Sequence, residues 1–154
     1  MLRKLISLTL LASLCVLASC SSTKKREPAA LVALDDKASL SAVWSVSVGK
    51  SDAFVMRPVL AGDYIYTSAG NGSIKKIDVL SGKIVWEVKT PVDLSSGPGS
   101  DGSVVVAGTA KGVVYAFDAN GQKIWEEMIG GEVLTEPLVL SGIAVVRTID
   151  NRFI

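Results

Sequence analysis

The sequence contains no histidine among its 154 residues. Histidine is the usual general base near neutral pH and the commonest protein ligand for transition metals. Its absence therefore argues against both a typical acid–base site and a typical metal centre. We assign no catalytic residue and no metal ligand from the sequence.

Cysteine and unbalanced charge are also scarce. The two cysteines, Cys15 and Cys20, both lie near the N-terminus, so no disulfide can staple the rest of the chain. Basic and acidic residues number 16 and 15, and the formal net charge of +1 does not indicate a nucleic-acid partner. Hydrophobic residues make up 49%, which is enough to pack the core of one domain.

The N-terminus has the pattern of an export signal. Arg3 and Lys4 precede an apolar run over residues 5–19, which ends in small side chains. This run is too short to cross a bilayer comfortably, since a spanning helix needs roughly 20 apolar residues. The pattern predicts a chain that leaves the cytoplasm.

The signal ends in the letters LASC, which resemble the bacterial lipobox. The resemblance implies a lipoprotein signal peptide over residues 1–19, cleavage between Ser19 and Cys20, and acyl chains on Cys20 that anchor the mature protein. Residues 20–42 would then be the lipidated N-terminus and a polar tether. An ordinary secretory signal with a chance cysteine is the alternative.

The residue after Cys20 bears on the location of the protein, and it is Ser21 rather than aspartate. An aspartate at this position resembles the inner-membrane retention signal of enteric-type bacteria, so its absence favours the outer membrane. We therefore expect a protein that is lipid-anchored in the outer membrane, with its body on the periplasmic face.

The rest of the chain repeats itself at a spacing of about forty residues. Aligning Gly62, Gly102 and Gly142 places GDYIYTSAGNGSIKKID over GSVVVAGTAKGVVYAFD and over the shorter GIAVVRTIDNRFI. Each copy begins with β-forming residues and continues into a polar turn, and the first two copies contain a second strand. The units run over about 62–101, 102–141 and 142–154, the last being truncated.

An aspartate and a glycine-containing turn follow the second strand of each complete unit. The aspartates are Asp78 and Asp118, whose carboxylates we expect to accept hydrogen bonds from turn amides. Gly82 and Gly121 lie in these turns. Glycine adopts the positive φ angles of a tight turn at low cost.

A tryptophan follows each of these turns, and one more precedes the first unit. The three residues, Trp44, Trp86 and Trp125, are expected to mark equivalent strands. Apolar and polar side chains alternate around Trp44, which predicts a strand over residues 43–48. The third example departs from the pattern, because Glu127 stands where the other two copies have valine.

Strand-rich units at this spacing predict an all-β fold, a β-propeller built from blades of four-stranded antiparallel meanders. A blade must stack on its neighbours to bury both faces, and tryptophan at a fixed place is a suitable wedge between blades. Residues 43–154 would form a partial propeller of about two and a half to three blades. A β-sandwich with accidental internal similarity is the alternative.

The aspartate, glycine turn and tryptophan resemble the pyrroloquinoline-quinone-type propeller repeat, with Ala116 matching its small residue and Lys76 departing from it. Together with the lipobox and the WSVSVG stretch at Trp44, the chain from Cys20 to Ile154 resembles the BamB-like lipoproteins of the outer-membrane β-barrel assembly machinery. Propellers need roughly 4–8 blades to close, and the resemblance implies eight. We therefore expect this chain to be the N-terminal part of a longer protein or a truncated gene product.

The resemblance implies a non-catalytic scaffold that aids the folding and insertion of outer-membrane proteins. Its implied partners are the main barrel-forming subunit of the machinery and unfolded outer-membrane protein clients. The alternatives are a periplasmic quinoprotein dehydrogenase-like propeller and a glycan-binding propeller. Quinoproteins of this repeat type use acidic residues and often a vicinal cysteine pair, which the mature sequence lacks, so we expect no cofactor.

Overall fold

The computed structural model describes residues 28–29, 40–51 and 53–154. Ser19, Cys20 and most of the tether lie outside the described residues, so the predictions made for them stay predictions. The described part of the chain contains ten β-strands and no helix. None of its elements is therefore a helix that could span a membrane.

The first sheet is an antiparallel meander in which each strand pairs with the next along the chain. Nine of its 20 strand residues are valine, isoleucine or tyrosine, which suit a pleated and half-buried surface. Gly72, at a φ of +85°, closes the central hairpin with a tight turn. The strands are β1 (Val59–Ala61), β2 (Tyr64–Ser68), β3 (Ser73–Asp78) and β4 (Ile84–Lys89).

The second sheet repeats this arrangement. Tyr64 pairs with Asp78 in the first sheet, and Val104 pairs with Asp118 at the same place in the second. The outer strand pair of each sheet also contains one register shift at the same position. The strands are β5 (Gly99–Ser100), β6 (Val104–Gly108), β7 (Val113–Asp118) and β8 (Lys123–Met128).

A third unit follows with the same beginning. β9 (Leu138–Leu140) pairs antiparallel with β10 (Ile143–Val145), and a single bridge joins Arg147 to Phe153. A proline directly precedes each innermost strand, where a missing amide is tolerated. The prolines are Pro58, Pro98 and Pro137. The predicted all-β fold of four-stranded antiparallel blades is confirmed.

The hydrophobic core lies between consecutive units rather than inside any one of them. One buried cluster joins the first and second sheets, and a second cluster joins the second sheet to the third unit. The first contains Tyr66, Ile74, Leu94, Val105, Ala107, Tyr115 and Phe117. The second contains Val106, Val114, Ala116, Val133, Val139 and Val146. The faces of the second sheet are thus both used for packing, as stacked blades require.

The strand predicted over residues 43–48 is wrong, because residues 41–50 form no strand. Alternation makes this stretch extended, but a strand also needs a backbone partner, and no described residue pairs with it as a ladder. It is held by separate contacts instead. The Lys75 ammonium donates to the Ser47 carbonyl at 3.0 Å, and the Gly70 amide donates to the Lys50 carbonyl at 2.8 Å.

Candidate functional site

The contact that joins the N-terminal stretch to the first sheet is made by Trp44. Its Nε1–H donates to the carbonyl oxygen of Val79 at 2.8 Å. The indole also covers Gly82, where a Cβ atom would lie 2.5 Å from Trp44 Cδ2. Only glycine fits under the ring, and the φ of +69° at Gly82 independently favours glycine.

The same contact recurs one unit later. Nε1–H of Trp86 donates to the carbonyl oxygen of Ala119 at 3.0 Å. A Cβ atom at Gly121 would lie 3.0 Å from Trp86 Cδ2. We call this arrangement, an indole packed on the turn glycine of the following unit, the tryptophan dock; its two examples are Trp44–Gly82 and Trp86–Gly121.

Asp78 and Asp118 shape the turns on which the indoles lie. The Asp78 carboxylate accepts from the Ser81 amide at 2.8 Å and from the Ser81 hydroxyl at 2.6 Å, and the hydroxyl bond lowers the pKa of Asp78. The Asp118 carboxylate accepts from the amides of Asn120 at 2.9 Å and Gln122 at 2.8 Å. Both carboxylates are engaged by the turns, which is a structural role.

Trp125 differs from the other two tryptophans. It lies on β8, is 39% exposed, and makes no tryptophan dock with any described residue. It faces a groove of about 500 Å³ between the second sheet, including β8, and the third unit. The groove is mostly apolar, but Glu127 lies in it at the place where β4 has Val88. The remaining lining residues are Val104, Val114, Ile124, Ile129, Gly142, Ala144, Val146 and Ile154.

Sequence reasoning noted Lys76 only as a departure from the repeat. The structure places its ammonium 4.0 Å from the centre of the Tyr64 ring, with the residue only 8% exposed. Nζ donates to the Ala119 carbonyl at 3.0 Å, so Lys76 and Trp86 bind the same acceptor. The sequence did contain a signal for this contact, a lysine on the strand that pairs with the tyrosine-containing β2. Cations favour the faces of aromatic rings.

Asp101 is a second residue that sequence reasoning missed. Its carboxylate accepts from the Gly142 amide of the third unit at 2.9 Å. It also accepts from the Ser103 and Val104 amides at 3.0 and 3.1 Å. These bonds, the one from Gly142 above all, hold the pKa of Asp101 well below its usual range. The residue equivalent to Asp101 in the first sheet is Ala61, at the end of β1, so the repeat pattern did not reveal this link.

The described residues bring together no group of three or more histidine, cysteine, aspartate or glutamate side chains that could hold a metal ion. The notable side chains instead join one unit to the next. The described sheets are stacked, and their turns and outer strands are exposed.

Comparison with known proteins shows the family to which the chain belongs. The family model described as outer membrane protein assembly factor BamB matches residues 70–154. The assembly factor BamB of Burkholderia pseudomallei is 40% identical over 145 residues, which cover 93% of this chain. The chain belongs to the BamB family. The BamB of Nitrosomonas eutropha is 37% identical over 82% of this chain, and that of Escherichia coli is 29% identical over 88%.

Solved structures agree on the fold. BamB from Moraxella catarrhalis has a TM-score of 0.54 and 20% identity, covering 63% of this chain and 30% of its own. The quinohemoprotein alcohol dehydrogenase from Comamonas testosteroni has a TM-score of 0.52 and 19% identity, covering 63% of this chain and 17% of its own. At these identities the similarity shows a propeller fold alone. The chain spans 31% to 38% of the length of the BamB relatives from Burkholderia pseudomallei, Nitrosomonas eutropha and Escherichia coli.

Proposed function

We propose that the protein is a non-catalytic scaffold that aids the folding and insertion of outer-membrane β-barrel proteins. The observation that carries this proposal is membership of the BamB family, whose curated members are named outer membrane protein assembly factors. The 40% identity extends over nearly the whole chain rather than over a single repeat.

The chemistry of the described residues supports binding rather than catalysis. The Asp78 and Asp118 carboxylates accept hydrogen bonds from their own turns. The Asp101 carboxylate is engaged by three backbone amides. What remains exposed are turns and outer strand edges, and proteins recognise extended chains and partner domains with such surfaces.

The proposal includes an anchor and partners. Cys20 would carry acyl chains that hold the protein at the periplasmic face of the outer membrane, because several chains together bind a bilayer firmly. The main partner would be the barrel-forming subunit of the assembly machinery, and the clients would be unfolded outer-membrane proteins. The names of the relatives refer to outer membrane protein assembly, and they support the outer membrane as the location and protein assembly as the process.

The relatives favour this role over the two alternatives. The similarity to a quinohemoprotein dehydrogenase lies below 25% identity and extends to the fold alone. Among the described residues, no acidic cluster supports a quinone–metal site. No observation favours glycan binding.

Co-purification from native membranes tests the proposal. The protein carries an affinity tag at its C-terminus, outer membranes are solubilised in mild detergent, and captured proteins are identified by mass spectrometry. We expect the barrel-forming assembly subunit to be enriched over an untagged control. Capture of cell-wall fragments or of redox enzymes without that subunit would contradict the proposal.

The Cys20→Ser variant is the matched control for the anchor. Serine has no thiol to accept the diacylglyceryl group, so we expect this variant to move from the membrane fraction to the soluble periplasm. An unchanged membrane fraction would contradict lipidation at Cys20 and leave the scaffold role to be judged by the captured partners.

A further inference from the structure

The two complete sheets each end in an outer strand with one open edge, β4 in the first and β8 in the second. Hydrogen bonds alternate along an antiparallel pair, so one bond fixes which amides point outward. Thr90 N–H donates to the Gly72 carbonyl, and Ile129 N–H donates to the Gly112 carbonyl, each at 2.9 Å. Every second amide N-terminal to these donors points into the sheet in the same way. The amides between them therefore point away from the sheet. They are Glu87 and Lys89 on β4, and Glu126 and Met128 on β8.

The open edge of β4 carries features that hinder pairing with another strand. Lys89 lies at its C-terminal end, and Pro91 follows shortly after and has no amide to offer. The Glu87 carboxylate accepts from the Ser73 hydroxyl at 2.7 Å and lies 3.7 Å from the Lys75 ammonium. Lysine and proline at an edge are common protection against pairing with other chains.

The C-terminal half of β8 lacks this lysine and this proline; the lysine of β8, Lys123, lies at its N-terminal end and pairs with Glu126 at 2.6 Å. Met128 occupies the position of Lys89 and is 62% exposed, while Ile124 is 51% exposed, as much as Val85 at the same place on β4. The residues that follow are Ile129, Gly130 and Gly131, so the amides continue where β4 meets a proline.

We propose that the open edge of β8, and not that of β4, takes up an extended segment of an unfolded outer-membrane barrel protein as an additional strand. This inference rests on the proposed function. The meander already adds each strand to the edge of the one before it, and β8 is the last strand of its sheet. Barrel strands alternate apolar and polar side chains, so such a segment can place apolar groups against Met128 and Ile124 while its backbone pairs.

The probe is a synthetic peptide of about ten residues that corresponds to one membrane strand of an eight-stranded outer-membrane barrel. Hydrogen exchange of the protein is measured by mass spectrometry with and without the peptide, and the dissociation constant is measured by fluorescence anisotropy. We expect slower exchange over residues 123–131 and no change over residues 84–91.

Two pairs of variants separate the strands. Glu126→Pro removes one outward amide of β8, and Glu87→Pro removes the equivalent amide of β4. Met128→Lys gives β8 the lysine that β4 has at this position, and Lys89→Met gives β4 the methionine of β8. Because one edge hydrogen bond is at stake, Glu126→Pro should weaken peptide binding about fivefold, while Glu87→Pro leaves it unchanged. Met128→Lys should also weaken it, and unfolding midpoints within experimental error of the parent show that each variant is folded.

The outcomes distinguish this inference from the function on which it rests. Protection on β4, equal effects of Glu87→Pro and Glu126→Pro, or no binding of the peptide would overturn the assignment to β8. Co-purification with the barrel-forming subunit would still support the assembly role in those cases. Failure of that co-purification would contradict the assembly role itself, and the inference with it.

Discussion

Trp44 lies directly on Gly82, and Trp86 lies in the same way on Gly121, one unit further along the chain. In both cases the indole N–H donates to the carbonyl of the residue that follows the turn aspartate. The glycine is required by the close approach as well as by its positive φ angle. The contact therefore links two sequence features that lie about forty residues apart, and it explains why they recur together.

Gly82→Ala tests the close approach. A methyl group would lie 2.5 Å from the Trp44 ring, and the φ of +69° adds strain for alanine. We expect a loss of about 2–4 kcal/mol in the free energy of unfolding, since overpacking and the left-handed conformation add. Gly62→Ala is the matched control, with a φ of +59° and nothing within 4 Å of the new methyl group. It should cost only about 1 kcal/mol. Equal losses in urea unfolding would show that the indole does not restrict position 82.

Trp86→Phe tests the hydrogen bond of the dock. Phenylalanine retains a ring but cannot donate to the Ala119 carbonyl, which Nε1 of Trp86 reaches at 3.0 Å. We expect a loss of about 1–2 kcal/mol in unfolding free energy. Trp125→Phe is the comparison, because Trp125 makes no such bond to a described residue and should cost about 0.5 kcal/mol or less. The prediction is wrong if Trp125→Phe is as destabilising as Trp86→Phe.

Asp101→Asn tests the link between the second sheet and the third unit. The amides of Gly142, Ser103 and Val104 lower the pKa of Asp101 in the folded protein. A lowered pKa means that its stabilisation is complete above the unfolded pKa of about 3.9 and is lost as the pH falls toward the folded pKa. At pH 7 we expect Asp101→Asn to cost about 1 kcal/mol, allowing for solvent screening. Urea unfolding at pH 7 and pH 3 should show the difference shrinking at pH 3, and a constant difference would contradict the role of the charge.

Lys76→Ala tests the buried ammonium. The substitution removes the donor to the Ala119 carbonyl, the contact with the Tyr64 ring and the packed aliphatic stem. We expect a loss of about 2–3 kcal/mol. Lys76→Met keeps an apolar chain of similar length and should recover about half of that loss. If Lys76→Met is as stable as the parent, the ammonium contributes nothing net, and burial of its charge offsets its contacts.

The hairpins were predictable because their signals are local. Period-two alternation and the glycine turns at Gly72 and Gly112 fix the pairing of β2 with β3 and of β6 with β7. The stretch around Trp44 has the same alternation but no ladder partner among the described residues. Alternation specifies an extended chain, whereas a strand depends on a second segment that a local pattern does not contain.

Lys76 and Asp101 were not predictable for a related reason. Their acceptor and donor, the Ala119 carbonyl and the Gly142 amide, lie 43 and 41 residues away in the chain. The alignment of repeats compares each residue with its equivalent in the next unit, not with the residue that it contacts there. A side chain that replaces a small residue of the repeat is thus visible as a departure, while its role depends on the stacking of the units.

The central structural claim is that a docked indole packs on the turn glycine of the unit that follows it, and a double-mutant cycle on Trp44 and Gly82 tests this contact most directly. The variants are Trp44→Ala, Gly82→Ala and the double substitution, compared by urea unfolding. Without the indole, the methyl group at position 82 meets no ring, so Gly82→Ala should cost only about 1 kcal/mol in the Trp44→Ala background. A coupling energy of more than about 1 kcal/mol is the predicted result. Additive losses would contradict the dock.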